Sequence, residues 1–454
     1  MRFGAMRWRA YAVGAVAAGL VLASAPAAIG AIGAIGASGP SVGRAVLVSR
    51  GCTGQNAEVE TAIDPATSTL YEEWIGCGGI GFASSSNGGT SFTPGFELPR
   101  SGFGWDPAIT VGPHGWVYAA FMVNRGVYTY PVVDISADHG KTWTVHPLGS
   151  PRRNNWGDRD FIAVGAGGAI YVTWDYGPVN DIKFVCTPSG SCSFTAGDVN
   201  VVMQKSTDNG RTWSGIVPIS RGYPASGADS APIIAEPNGR LDVLYQAYQI
   251  TNRRTLTFGV AHQYFSTSTD YGLKWSRPVQ VGPSALWMNT AEWWIDGALG
   301  ADAAGNLYAT WDSQSGRRDV GWLEYSTTHG RTWSDPVRVT PGGGDYAHIL
   351  QVTGGAAGTA YVGWLTDSAR CGSVPCYAQY LRVYSIGRGW RTSITRITTT
   401  AGNWRVWPGD TIGLSLYPPV RGAGGNKLAV SWGSALGGPK AESEIRASVV
   451  GRLP

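Results

Sequence analysis

Charge is scarce in this 454-residue chain: Asp, Glu, Lys and Arg together make up 15% of it. Beside 65 Gly, 20 Trp and 20 Tyr, that scarcity argues against long solvent-facing helices. It favours short strands joined by tight turns. Nor is there an excess of one sign. The formal charge is +4, and Arg2, Arg7 and Arg9 fall in a segment expected to be removed, which leaves the mature chain close to neutral. Nothing global therefore draws it to nucleic acid or to an anionic membrane surface. No CxxC pair occurs and no His adjoins a cysteine, so no metal ligand set is expected from the cysteines. Between Arg9 and Arg44 there is no charge at all.

That uncharged stretch reads as a targeting segment. Three arginines precede "AYAVGAVAAGLVLASAPA", and small residues near Ala25 to Ala28 supply cleavage sites. The expected organisation is a signal peptide over 1–28, a Gly/Ala-rich leader over 29–43 and one domain over 44–454. The competing reading keeps the apolar segment as a membrane anchor. No Cys follows it closely, so a lipid anchor is not expected. Export to the extracellular space or periplasm makes disulfides the natural use of six cysteines. Local pairing gives Cys52/Cys77, Cys186/Cys192 and Cys371/Cys376, one choice among about 15.

What the chain has in abundance is repetition. "STDNGRTWS" from Ser206 returns as "SADHGKTWT" from Ser136, "STDYGLKWS" from Ser268 and "STTHGRTWS" from Ser326. A second unit recurs as well: an apolar strand, a Gly-containing turn, then a strand closing on an aromatic, as in "FIAVGAGGAIYVTW". The closing aromatics are Trp74, Phe121, Trp174, Tyr245, Trp311, Trp364 and Trp432. Period-two alternation within these units marks strands. Seven units of four antiparallel strands predict an all-β fold, a β-propeller of seven four-stranded blades, with six or eight left open. The seventh unit has only three strands after Asp410. Ala45 to Ser49 is expected to supply the fourth from the N-terminus and leave no open edge.

The S-x-D-x-G-x-T-W spelling resembles the Asp-box, or BNR repeat, of the sialidase superfamily, over the chain from Ala45 onward. Physically the box is a turn. Asp138, Asp208 and Asp270 can accept backbone N–H groups, the glycines take positive φ, and the tryptophans bury. Such a turn joins third and fourth strands, which puts it on the face opposite the functional one. The resemblance implies three arginines gripping a substrate carboxylate, a Tyr–Glu nucleophile and an Asp acid/base. The chain departs from it: "AEVETAIDP" lacks the family's Arg-Ile-Pro stretch, and those sialidases are six-bladed.

Site candidates therefore come from position. Acids precede the first strand of nearly every unit, among them Glu58, Glu60, Asp106, Asp158, Asp160, Asp229, Glu292 and Asp410. Capping of backbone N–H groups is the plain use of each; together they could hold a sugar, Ca²⁺ or a catalytic proton. Asp106, Asp160, Glu292 and Tyr346 are the catalytic candidates. Arg159, Arg405, Asp158, Asp410, Trp156 and Trp294 are the candidates for substrate binding. The expected partner is a glycan, with no nucleic acid, no resident cofactor beyond a structural Ca²⁺, and a monomeric chain. The expected function is a secreted sialidase-like propeller that binds a glycan and, if it is an enzyme, acts as an exo-sialidase or other glycoside hydrolase; the alternative is a non-catalytic glycan- or protein-binding propeller.

Overall fold

The computed structural model describes residues 39–125, 128–149, 155–178, 183–186, 192–195, 199–220, 227–252, 257–286, 297–315, 318–340, 347–371, 374–398, 402–403, 409–419, 425–434 and 442–454. The expected signal segment lies outside them. Seven antiparallel sheets follow one another along the chain, and each is one blade. Blade 1 runs Ala57–Ile63, Leu70–Gly76, Gly79–Ser85 and Phe96–Glu97 from inside outward. Blades 2, 3, 4, 5 and 6 begin with the inner strands Trp105–Val111, Asn155–Val164, Gly227–Asp229, Ala298–Ala301 and His348–Gly354. Blade 7 takes Gly413–Leu416, Asn426–Ser434 and Glu444–Leu453 from the C-terminus. Its outer strand comes from the other end of the chain, as Ser41–Val42 and Val46–Leu47. The register pairs Ser41 with Gly451 and Val46 with Ala447. The expected closure is therefore present, and it begins at Ser41, ahead of Ala45. Among the described residues the one helical element is the short 3₁₀ turn Pro113–Gly115.

The hydrophobic core is not one volume but seven seams. Each of seven buried clusters draws its members from two adjacent blades. The closing aromatics of the repeat fill them: Trp74, Phe121, Trp174, Tyr245, Trp311, Trp364 and Trp432 are all buried. A blade is covered on both faces, so its strands bury both sets of alternating side chains.

The recurring turn joins third to fourth strands and serves the same seams. Asp208 Oδ1 accepts the Thr212 N–H at 2.9 Å and the Ser206 hydroxyl at 2.8 Å, while Oδ2 accepts the Thr212 hydroxyl at 2.6 Å. These donors hold its carboxyl down to about 2. Asp138 and Asp270 take the same position with lowered pKa, and Thr328 substitutes its hydroxyl for the carboxylate. Gly330 has φ +76°, and a Cβ there would run into the ring of Phe265 in the preceding blade. Trp333 packs edge-on against that same ring, its centroid 5.5 Å away. The turn thus wedges each blade onto the one before it.

Several acids are buried in these seams, and among the described residues no salt bridge reaches Glu72 or Asp134. Glu72 accepts hydroxyls from Thr61 of its own blade and Ser431 of blade 7, each at 2.6 Å. Burial still pushes its carboxyl up to about 8. Glu60, part-buried beside Glu72, also rises to about 8 through desolvation and the Glu72 charge, although Gln351 donates to it at 3.2 Å. Burial likewise raises Asp134 to about 8, with Arg100 acting the other way. In the unfolded chain these groups titrate near 4.5 and 3.8. The folded state therefore binds more protons than the unfolded state between those values, and stability falls as pH rises through that window. The melting temperature is expected to drop between about pH 5 and about pH 8. Glu72→Gln and Asp134→Asn should each flatten that slope in a pH series of thermal melts; an unchanged slope in both would contradict the assignment.

A disulfide joins Cys52 to Cys77, 25 residues apart with Cα atoms 4.6 Å apart. It ties the segment that follows the N-terminal strand to the hairpin between the second and third strands of blade 1. Cys186 and Cys192 stand opposite each other in the backbone register of a side hairpin. Cys371 and Cys376 lie in the paired strands Thr359–Cys371 and Val374–Ser385. The side chains of these four lie outside the described residues. The double substitution Cys52→Ser, Cys77→Ser should cost about 3 kcal/mol by the loop-closure estimate. Denaturant unfolding of the oxidised protein and the variant measures it, and equal midpoints would show that the bond does not brace the closure.

Candidate functional site

The inner strands share a distortion that no residue type announces. Glu58 (φ +47°), Asp106 (φ +52°), Arg159 (φ +50°), Ser230 (φ +53°) and Ile349 (φ +53°) all have left-handed backbone, and all sit near the start of an inner strand. The ladder slips at four of these places, between Ala57 and Val59, Trp105 and Ala108, Asp158 and Phe161, and His348 and Gln351. These are β-bulges, which bend a strand and re-aim a side chain. Positive φ in non-glycine residues costs free energy, and such strain concentrates at functional sites.

The bulges are linked from blade to blade. The Asp106 N–H donates to Glu58 Oε2 at 3.3 Å, and the Arg159 N–H donates to Asp106 Oδ2 at 2.7 Å. In the next blade the Ser230 N–H donates to Asp175 Oδ1 at 3.0 Å. Each carboxylate thus holds the strained backbone of its neighbour in place.

Asp410, in the loop entering blade 7, completes the group. Gly409 before it has φ +95°, and a Cβ there would collide with the backbone of Glu58. That close approach sets Asp410 beside Glu58. Glu58, Asp106 and Asp410 each place a carboxylate oxygen within 4.8 Å of the others. Arg159 reaches across with Nη2 3.4 Å from Asp410 Oδ2. Burial, the neighbouring Asp410 charge and a hydrogen bond with Asp410 raise the Glu58 carboxyl well above the usual range, and Arg159 opposes them. Asp106 is raised by burial and by the charge and hydrogen bond of Asp158. Asp158 in turn accepts the Trp105 indole N–H at 2.7 Å. Glu58 and Asp410 are buried, whereas Asp106, Asp158 and Arg159 keep part of their surface in solvent. Chemically this is a set of carboxyls able to hold and release a proton beside one fixed guanidinium. The three converging oxygens are also the donor set open to a divalent cation.

Asp106, Asp158, Arg159 and Asp410, singled out from the sequence, are brought together here. Asp160 is 2% exposed, and neither of its oxygens has a hydrogen-bond partner. It shares that state with Glu73, whose carboxyl is raised by burial and then by Asp160, Asp134 and Glu60. Glu292, Tyr346, Arg405 and Trp294 lie outside the described residues, as does the side chain of Trp156. Glu58 was visible only as one acid among many before first strands; its pairing with Asp410 across 352 positions has no local signature.

No family model matches the chain, and no curated protein matches it. Solved structures do resemble it. A protein of unknown function from Dyadobacter fermentans superposes with a TM-score of 0.53 at 14% identity, covering 91% of this chain and 99% of that one. The endosialidase of phage phi92 gives a TM-score of 0.50 at 10% identity, covering 91% of this chain and 69% of that one. The NanB sialidase of Streptococcus pneumoniae (as its K499G mutant) gives 0.48 at 10% identity, over 85% and 83%. What the chain shares with these proteins is architecture: it is a β-propeller, here of seven blades closed by its own N-terminal strand.

Proposed function

We propose that the site near the starts of the inner strands, at the mouth of the ring's central channel, binds a glycan and hydrolyses a glycosidic bond with Asp106 and Asp410. The observation that carries this reading is the convergence of Glu58, Asp106 and Asp410 within 4.8 Å at the bulged ends of the inner strands. Asp106 is part-exposed, and burial and the neighbouring Asp158 raise its carboxyl well above the usual range, the direction a general acid requires. Asp410, held against Arg159, is the second carboxyl. Their short separation is closer to the roughly 5–5.5 Å of retaining glycosidases than to the about 6.5–9.5 Å that admits a water between the pair. Buried Glu58 hydrogen-bonds Asp410 and positions it. Asp158 and Arg159 offer an acceptor and a donor fork to sugar hydroxyls. A phage endosialidase has a related fold, so a propeller of this kind can act on glycans. The disulfide fits an oxidising compartment, and export of the chain belongs to this reading. No helix among the described residues is long and apolar enough to cross a membrane.

Hydrolysis of a panel of aryl glycosides tests the proposal. Asp106→Asn and Asp410→Asn should each lower kcat by about a hundredfold or more with little change in melting temperature. Wild-type activity should fall as pH rises through the raised Asp106 value, because the general acid is then lost. Turnover that survives both substitutions would refute the assignment. Glycan binding without turnover in the wild-type protein would leave a binding propeller.

A further inference from the structure

One side chain in the described structure is presented to solvent in a manner that packing does not account for. Phe103 is 87% exposed, and it has a left-handed backbone, φ +58°, between Gly102 and Gly104. A large apolar ring on strained backbone is costly on both counts. Its loop is nonetheless firmly built. The Phe103 N–H donates to Gly78 O at 3.2 Å and the Gly104 N–H to Ser101 O at 2.6 Å. Ser101 is fully buried and bridges Leu98 O and the Ile80 N–H through its hydroxyl, at 2.8 and 2.9 Å. The ring is therefore held out rather than left loose.

A cleft of about 390 Å³ opens beside it, lined by Cys52, Thr53, Gly78, Phe96 and Glu97 among others. The Glu97 carboxylate lies along the base of the Phe103 loop: a Cβ on Gly102 would stand 3.8 Å from its Oε1, and one on Gly78 3.4 Å from its Oε2. The Cys52–Cys77 bond forms part of the wall. Loop and cleft lie on the mouth face, because the loop leaves the fourth strand of blade 1 and enters the inner strand of blade 2. Phe103 precedes Trp105 and Asp106 in that same loop.

We propose that Phe103 and this cleft form an accessory subsite for one neutral sugar unit of a glycan chain whose cleaved bond lies at Asp106 and Asp410. The proposal rests on the glycan reading above and narrows its substrate class. A phenyl face stacks on the apolar C–H face of a pyranose or furanose ring, and a carboxylate beside it accepts hydroxyl hydrogen bonds. Glu97 would repel a sugar carrying its own carboxylate. The mouth agrees, since the acids Glu58, Asp106, Asp158 and Asp410 gather there around Arg159, with Arg100 the cation of the Phe103 loop itself. A neutral chain is the ligand that suits both ends of this surface.

Calorimetric titration of the full-length protein decides it. The probes are gluco-, manno-, galacto- and arabino-tetrasaccharides, with a sialylated tetrasaccharide as the charged comparison. At least one neutral probe should bind. Phe103→Ala and Phe103→Leu should both weaken it about tenfold, whereas Phe103→Trp should keep it, because the ring face and not apolarity alone is required. The melting temperature should not fall in any of the three, as the side chain is almost wholly in solvent. Asp106→Asn should leave this binding largely in place while removing turnover. Equal affinity of wild type and Phe103→Ala for a neutral probe that binds overturns the subsite and leaves the glycan reading standing. Binding of no tetrasaccharide overturns both. Binding of the sialylated probe alone overturns the neutral sugar class.

Discussion

A ring of sheets holds together only if its last member is bound to its first, and here that bond is made by the ends of the chain. Ser41–Val42 and Val46–Leu47 hydrogen-bond to Glu444–Leu453 and complete blade 7. The seam they secure also carries a polar clasp, in which Glu72 of blade 1 takes a hydroxyl from Ser431 of blade 7. The candidate site lies on this seam. Glu58 belongs to blade 1 and Asp410 to the entry of blade 7, and they meet only when the ring is closed. The disulfide at Cys52 fixes the segment that leads from the closing strand into blade 1, so the same covalent link braces the closure and the wall of the cleft beside the mouth.

Two backbone devices divide the work between the two faces. On one face, glycines in the recurring turn let each blade press against an aromatic ring or a long apolar chain of the blade before it, as Gly330 does on Phe265 and Gly272 on Met203. That turn is self-sufficient, for its aspartates are spent on their own N–H and hydroxyl groups. On the other face the strain falls on residues with chemistry. Glu58, Asp106 and Arg159 carry left-handed backbone and hold one another across blades. The regular spelling marks the scaffold, and the irregular backbone marks the place proposed here for ligand binding.

The architecture was largely legible because it is written in repetition. The turn spelling, the closing aromatics and the shortfall of one strand in the seventh unit together imply a closed ring, and the ring is there. The Cys52–Cys77 pairing followed from local spacing. The bulges were not legible. Positive φ is commonly signalled by Gly or Asn, yet Glu58, Asp106, Arg159, Ser230 and Ile349 adopt it; for Asp106, Arg159 and Ser230 the neighbouring blade supplies an acceptor, and for Glu58 a close contact at Gly409. Burial of acids was hidden for a different reason. Alternation predicts one wet face per strand, so of Glu72 and Glu73 one should reach water; both are fully buried, because a blade is flanked on each side. Phe103 carries no sequence signal beyond its two flanking glycines.

Closure by the two ends has a consequence for how the protein comes into being. Synthesis is vectorial, so Ser41–Leu47 are made ahead of every blade and must wait unpaired until Glu444–Leu453 emerge. Asp410 likewise arrives long after Glu58. Blades 1 to 6 can form in order behind the growing chain, but the seam cannot. A chain cut short before Asp410 thus has most of the fold but lacks the meeting of Glu58 and Asp410, so the arrangement of the mouth waits for the seventh blade.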